Sequence, residues 1–324
     1  MMKKTKLVLA AIALGAFSQG VLAQSDYPNR TVKLVVGFAP GGAADAVARA
    51  ISEPLAKALG QPVIVENKAG AGSSIAVDMV TKAAPDGYTI LIASPSGISV
   101  NPAINPKLRY KASDLVAVTK ITSSPLVIAV NPKLGVKSVK ELIDLAKKSP
   151  GKLNFATSGN GSAPHLGAAL FSQVSGVQMQ HIPFKGGAPA IQSVVAGDTQ
   201  VTFGTPPSVL PQVAGGNLLA LGISAPDASP LFKGLPGMKE AGLPEFEIDF
   251  WYGLFVPGGT PESIVKVIFD ATQKAMAQPT VATALERQGT EVSVSKSQQD
   301  FIKFLAQNEK FWVDLVKSAG VKVD

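Results

Sequence analysis

The sequence predicts an α/β fold, and three observations carry the prediction. Short aliphatic, β-branched runs alternate with runs of helical period from Thr31 to about Gly259. Glycine, proline and capping residues punctuate that alternation, which builds mostly parallel sheets covered by helices. The chain has no cysteine, so a protein of this length must be held by its core rather than by disulfides.

The first 23 residues read as a signal peptide and not as part of the fold. Lys3, Lys4 and Lys6 form a positive start, Leu7 to Phe17 is a short apolar run, and Val21-Leu22-Ala23 supplies small residues for cleavage. Cleavage after Ala23 would leave Gln24 first and place the protein in the periplasm. The apolar run is too short to span a bilayer.

The mature elements follow in order. Val32–Val36 is a strand whose Gly37-Phe38-Ala39-Pro40-Gly41-Gly42 turn hands the chain directly to an Ala-rich helix. A tight turn between a strand and a helix gathers free N–H groups, and the helix dipole adds partial positive charge, so the Gly37–Asp45 stretch is a ready anion site. Asp45 and Arg49, four residues apart, make a structural bridge. Val63–Glu66 and Thr89–Ala93 are the next strands, and Ile121–Pro125 is a crossover into Leu126–Val130. Ser138 and Glu141 make a capping box for a helix that Pro150-Gly151 stops.

Leu153–Ala156 leads into Thr157-Ser158-Gly159-Asn160-Gly161-Ser162, a second donor-rich turn, with Ser162 capping a helix that carries His165 and ends at Gly176. Gln180–Pro183 runs into a third such turn, Phe184-Lys185-Gly186-Gly187, whose lysine offers a point charge to a carboxylate. Val201–Phe203 and Leu218–Ile223 are strands, Leu243–Asp249 is a second crossover, and Tyr252–Val256 is the return strand. Thr260-Pro261 starts a helix, and Ser297 with Asp300 opens a long one reaching about Ser318.

Two crossovers predict two domains: 24–124 with 248–324, and 125–247 inserted between them. Such a pair makes a hinge and a cleft; the alternative is a single doubly wound domain without a hinge.

Composition excludes several classes. Without the leader's lysines, 27 Lys and Arg face 23 Asp and Glu, a net charge of +4 spread along the chain without the dense basic runs of a nucleic-acid binder. Arginine occurs at Arg30, Arg49, Arg109 and Arg287 alone, so none serves the middle of the chain. The turn after Val36 is neither a P-loop nor a dinucleotide fingerprint. There is no GxSxG elbow, no HExxH and no cysteine nucleophile. His165 and His181, the two histidines, lack accompanying carboxylates, so structural roles are expected rather than a metal site. No cofactor is expected.

These motifs together resemble the substrate-binding receptors of tripartite tricarboxylate transporters, the Bug-type receptors. The family pattern P-F-x-P-G-G-x-x-D appears with Gly37 in place of proline and ends at Asp45. Val65 to Gly72 matches V-E-N-x-x-G-A-G, and Asp86 to Thr89 matches D-G-Y-T. Ser158 to His165 matches S-G-x-G-S-x-x-H, His181 to Gly186 matches H-x-P-Y-K-G with Phe184 for tyrosine, and Trp251 to Pro261 matches the return strand.

The resemblance implies a type II periplasmic binding-protein fold, with two lobes joined by a double-crossover hinge and closing on a small carboxylate: a di- or tricarboxylate or an aromatic acid. It implies a monomeric receptor, not an enzyme, that delivers its ligand to membrane permease subunits. A sensor subunit presenting ligand to a membrane kinase, or an enzyme acting on a carboxylate ester, are the alternatives. The implied ligand contacts are Phe38, Gly41, Gly42, Ala43, Ala44 and Asp45 on one side, with Ser94 and Ser96. Thr157, Ser158, Asn160, Ser162, His165, Lys185, Gly204 and Thr205 face them. Many relatives carry an acid where this chain has Gly204-Thr205-Pro206, which argues against an amino-acid ligand.

Overall fold

The computed structural model describes residues 27–318; the leader and its cleavage point lie outside them. The first half of the chain forms β1 (Val32–Val36), α1 (Ala43–Leu59), β2 (Val63–Asn67), α2 (Ser74–Thr81), β3 (Thr89–Ala93), a π turn at Ser96–Val100, α3 (Asn101–Ile104) and β4 (Leu115–Pro125). Then come β5 (Val127–Val130), α4 (Val139–Lys148), β6 (Asn154–Thr157), α5 (Ala163–Ser175), β7 (Gln180–Pro183), α6 (Gly187–Ala196), β8 (Val201–Gly204), α7 (Pro206–Ala214) and β9 (Leu219–Ile223). The chain closes with β10 (Asp249–Pro257), α8 (Glu262–Met276), α9 (Pro279–Glu286), β11 (Glu291–Val292) and α10 (Gln298–Ser318).

Two sheets result. One has the order β11-β4-β10-β3-β1-β2, the other β7-β6-β8-β5-β9. Alternate faces of β1 feed separate cores. Val32, Leu34 and Val36 pack with Val47, Ile51 and Leu55 of α1, while Val35 packs with Val77 and Val80 of α2 and Phe301 of α10. Burial on both faces explains why β1 reads as an uninterrupted apolar run.

The sheets are mixed rather than mostly parallel. β1 is parallel to β2 and β3, and β6 to β7 and β8, but β10 runs against β3 and β4, and β5 against β8 and β9. The connectivity explains the difference. A strand arriving from the other sheet enters at the end where the parallel strands stop, so it must run against them.

The first crossover is shorter than expected, because Ile121–Pro125 belongs to β4 and only Leu126 separates β4 from β5. β4 was missed as a strand since Thr119, Lys120, Thr122, Ser123 and Ser124 give it a polar composition; pairing with β10 makes it one. The two-residue β11 leaves too little pattern to read. On the return path Ile248 precedes β10 directly.

Ser224 joins the two crossovers. Its Oγ accepts the Leu126 N–H at 2.8 Å and donates to the Ile248 carbonyl at 2.6 Å. Its N–H donates to the Leu126 carbonyl, and its carbonyl accepts the Ile248 N–H. Ser224 is fully buried, so Ser224→Ala strands a donor and an acceptor where water does not reach. We expect a loss of about 1–3 kcal/mol in urea unfolding. A variant as stable as the parent would show that the two passages do not depend on this hydroxyl.

Helix caps behave mostly as read. The Ser138 Oγ accepts the Glu141 N–H and the Ser297 Oγ accepts the Asp300 N–H. The Glu141 carboxylate accepts from Lys137 rather than closing the box on Ser138. Ser162 stands at the start of α5 with extended backbone, but its hydroxyl makes no cap bond. The prediction of a Ser162 side-chain cap is therefore corrected: the backbone turn holds this end, as the next section describes.

Candidate functional site

The first glycine turn is built by Asp45. Its Oδ2 accepts the Gly41 N–H at 3.0 Å and the Arg49 Nε–H at 2.9 Å, and its Oδ1 accepts from the Asn67 side chain at 3.0 Å. Asn67 also donates to the Phe38 carbonyl, pinning the turn to the end of β2. Burial works against the charge of Asp45. The Arg49 guanidinium, the Gly41 N–H and the Asn67 amide outweigh it and hold the carboxyl below its ordinary pKa. Asp45 thus shapes the turn from within, and the Gly41 N–H is taken by it. The N–H groups of Gly42, Ala43 and Ala44 have no acceptor among the described residues. Gly37 lets the turn approach α2, because a Cβ there would overlap Ser73.

Between the two sheets lies a cavity of about 480 Å³. Four helices begin at its wall: α1 through Gly42, Ala43 and Ala44; α5 through Ala163 and Pro164; α6 through Gly187; and α7 through Thr205. Each first turn carries partial positive charge and N–H groups that the helix cannot use. Hydroxyls of Ser96, Thr157, Ser158, Thr205 and Ser208 add neutral donors to the wall. Phe38, Ile191, Phe250 and Tyr252 make the rest of it largely apolar. The Tyr252 hydroxyl has no partner among the described residues, and burial raises its pKa. No carboxylate, lysine or arginine lines this cavity.

The Thr157–Ser162 turn rests on two stacked histidines. The His165 and His181 rings lie 3.8 Å apart and 14° from parallel, with Phe155 stacked on His181. The His165 Nδ1 accepts the Gly161 N–H at 3.1 Å, and the His181 Nε2 is 2.6 Å from the Thr157 Oγ1. Ser162 donates its N–H to the Gly159 carbonyl. The rings meet face to face and their nitrogens do not converge on a point. Among the described residues no group of His, Cys, Asp or Glu could hold a metal ion.

Both histidines are kept neutral. Burial, then the neighbouring His181, lowers the His165 pKa to about 3, and burial lowers that of His181 to about 4. The unfolded chain therefore binds more protons than the folded one below the ordinary value of about 6.5. Stability is full above that pH and falls on acidification toward pH 4, by at most ~1.4 kcal/mol per unit for each ring. Urea midpoints between pH 7 and pH 4.5 should drop in the parent and drop less in a His165→Gln/His181→Gln pair. Equal slopes would remove the histidines from the acid response.

Phe38, Gly42, Ala43, Ala44, Ser96, Thr157, Ser158, Gly204 and Thr205, all named from the sequence, line the cavity between the sheets. Asn160 and Lys185 instead line a second cavity of about 750 Å³, with Phe38 and Ser158 common to both. Five expectations are corrected. Gly41, Asp45, Ser94, Ser162 and His165 line neither cavity. Gly41 and Asp45 bond each other, His165 supports the loop from behind, and the Ser94 and Ser162 hydroxyls are buried without partners. The sequence reading missed Gly187, Ile191, Ser208, Phe250 and Tyr252 in the first cavity and Ser73, Ser74 and Asn101 in the second. Gly187 belonged to a recognised turn and could have been found; the strand and helix positions carried no local signal.

Comparison with known proteins agrees with this architecture. The tripartite tricarboxylate transporter family receptor model matches residues 47–321. Protein BugT of Bordetella pertussis is 35% identical over 327 residues, covering 99% of this chain and 100% of BugT. A Rhodopseudomonas palustris protein solved with adipate superposes with a TM-score of 0.88 at 30% identity, covering 91% of this chain and 99% of that one. MatC of the same organism, solved with bound malate, gives 0.83 at 34% identity, covering 90% and 100%. The fold is the type II periplasmic binding-protein fold, and the family consists of solute-binding receptors, not enzymes. With the model matching most of its length and a relative aligned end to end, this chain belongs to the tripartite tricarboxylate transporter receptor family.

Proposed function

We propose that the protein is a monomeric periplasmic receptor that captures a small organic carboxylate between its lobes and delivers it to the membrane subunits of a tripartite tricarboxylate transporter. The observation that carries this reading is the convergence of four helix starts on one cavity that has no basic side chain of its own. Partial charges and neutral donors in a water-poor cleft suit a single compact anion. The N–H groups of Gly42, Ala43 and Ala44 receive the carboxylate from one lobe. Ser158, Thr157, Thr205 and the starts of α5 and α6 complete its shell from the other. Residues 24–124 with 248–324 and residues 125–247 move as two bodies, and contacts from both are what make ligand favour closure. The signal peptide at 1–23 directs export. Relatives solved with adipate and malate support a carboxylate ligand.

A thermal-shift screen of mono-, di- and tricarboxylates and aromatic acids, each beside its methyl ester or amide, tests the reading. Acids should raise Tm by mass action and their neutral derivatives should not. Silence across the acids, or equal response to the esters, would overturn it.

A further inference from the structure

The second cavity differs from the first in charge. Lys185 lines it and is the one ionisable side chain there. The first cavity can neutralise one carboxylate with helix starts and hydroxyls. A second carboxylate in the same enclosed space would face the first with no cation nearby. The two cavities share Phe38 and Ser158 as a common wall. An extended ligand can therefore keep one end at the α1 turn and place the other beyond that wall. Glycines close the far side: a Cβ on Gly72 would lie 2.7 Å from the Asn160 carbonyl oxygen, so the two lobes meet there backbone to backbone.

The polar groups around this second cavity divide into committed and free. The Asn101 amide donates to the Gly72 carbonyl and the Ser74 Oγ, both at 2.8 Å, and the Asn105 Oδ1 accepts the Lys107 N–H. The Ser158 hydroxyl, the Asn160 side-chain amide and the Lys185 ammonium have no hydrogen-bond or ion-pair partner among the described residues. All three come from the same lobe, on neighbouring turns after β6 and β7.

We infer that Lys185, with Ser158 and Asn160, forms a second anion subsite that holds the distal carboxylate of an α,ω-dicarboxylate; this rests on the first cavity holding the other carboxylate. Lys185 is thereby a specificity residue. It sets the preference for a dicarboxylate over the monocarboxylate of equal length and leaves the first carboxylate to neutral donors. Lysine meets the distal group as a point charge on a flexible stem, so ligands of more than one length can reach it.

The test is isothermal titration at low ionic strength with two matched pairs, butyrate against succinate and hexanoate against adipate. Lys185 is exposed, so Lys185→Met removes the charge without disturbing the core. The parent should prefer the dicarboxylate of at least one pair by ten-fold or more. Lys185→Met should abolish that preference while changing monocarboxylate affinity less than two-fold, and Lys185→Arg should retain most of it. Equal losses for mono- and dicarboxylate would place Lys185 on the first carboxylate and overturn the subsite, as would unchanged dicarboxylate affinity in Lys185→Met. Silence of the parent toward all four acids would instead count against the carboxylate reading itself, and the subsite would fall with it.

Discussion

Gly42→Val is expected to lower carboxylate affinity by a hundred-fold or more while shifting Tm by no more than about 2 °C. Gly42 sits at the start of α1 with φ −86° and ψ 174°, extended backbone that valine adopts readily. An added Cβ would meet the Ala39 carbonyl oxygen at 3.5 Å and the Gly187 nitrogen at 3.8 Å, both ordinary contacts. The fold therefore tolerates the change. The space between Gly42 and Gly187, however, is where the starts of α1 and α6 approach each other across the cleft. Two γ-methyl groups placed there cover the N–H groups that a carboxylate needs and hold the lobes apart. Gly42→Ala should fall between parent and Gly42→Val. Titration of all three with the best acid from the screen gives the answer, and full affinity in Gly42→Val would make the turn a purely structural one.

Asn308→Leu is expected to cost about 2–4 kcal/mol in stability. The Asn308 Oδ1 accepts both the Trp251 and the Trp312 indole N–H, the second at 2.7 Å. Both tryptophans are fully buried, one on β10 and one on α10. Leucine keeps the volume but strands two donors, each worth about 1–3 kcal/mol when unmet in the interior. Asn308 thus anchors the C-terminal helix to the sheet, helped by Phe301 lying over Gly253. Urea unfolding followed by tryptophan fluorescence reads the loss directly. Binding should survive in the folded fraction, because α10 lines neither cavity. A variant within 0.5 kcal/mol of the parent would show that the indoles find other acceptors, since ~1 kcal/mol is the least that one lost buried bond should cost.

The two expected results separate what was legible in the sequence from what was not. Gly42 was readable because strand, turn and helix are contiguous, and a glycine between them has a local meaning. Asn308 carried no signal, since its partners lie 57 and 4 residues away and an asparagine within a helix reads as a surface residue. The same contrast runs through the site. The Thr157–Ser162 and Lys185–Gly187 turns stood out by composition. Phe250 and Tyr252 did not, because a strand buried on both faces shows no preferred side. Ser162 matched the pattern of a capping residue, yet its hydroxyl makes no such bond.

The sequence by itself determined the alternation of strands and helices, the placement of three donor-rich turns at helix starts, and the absence of a catalytic constellation, since each depends on residues near one another in the chain. Tertiary structure alone decided that a fourth helix start, that of α7, joins the others, that Asp45 takes the Gly41 amide, and that Ser224 clasps both crossovers. It also decided that Lys185 stands in a different cavity from the α1 turn. Those outcomes depend on which groups two crossovers bring together from distant parts of the chain. Hydrogen bonding and charge act over a few ångströms of space, whatever the separation along the sequence.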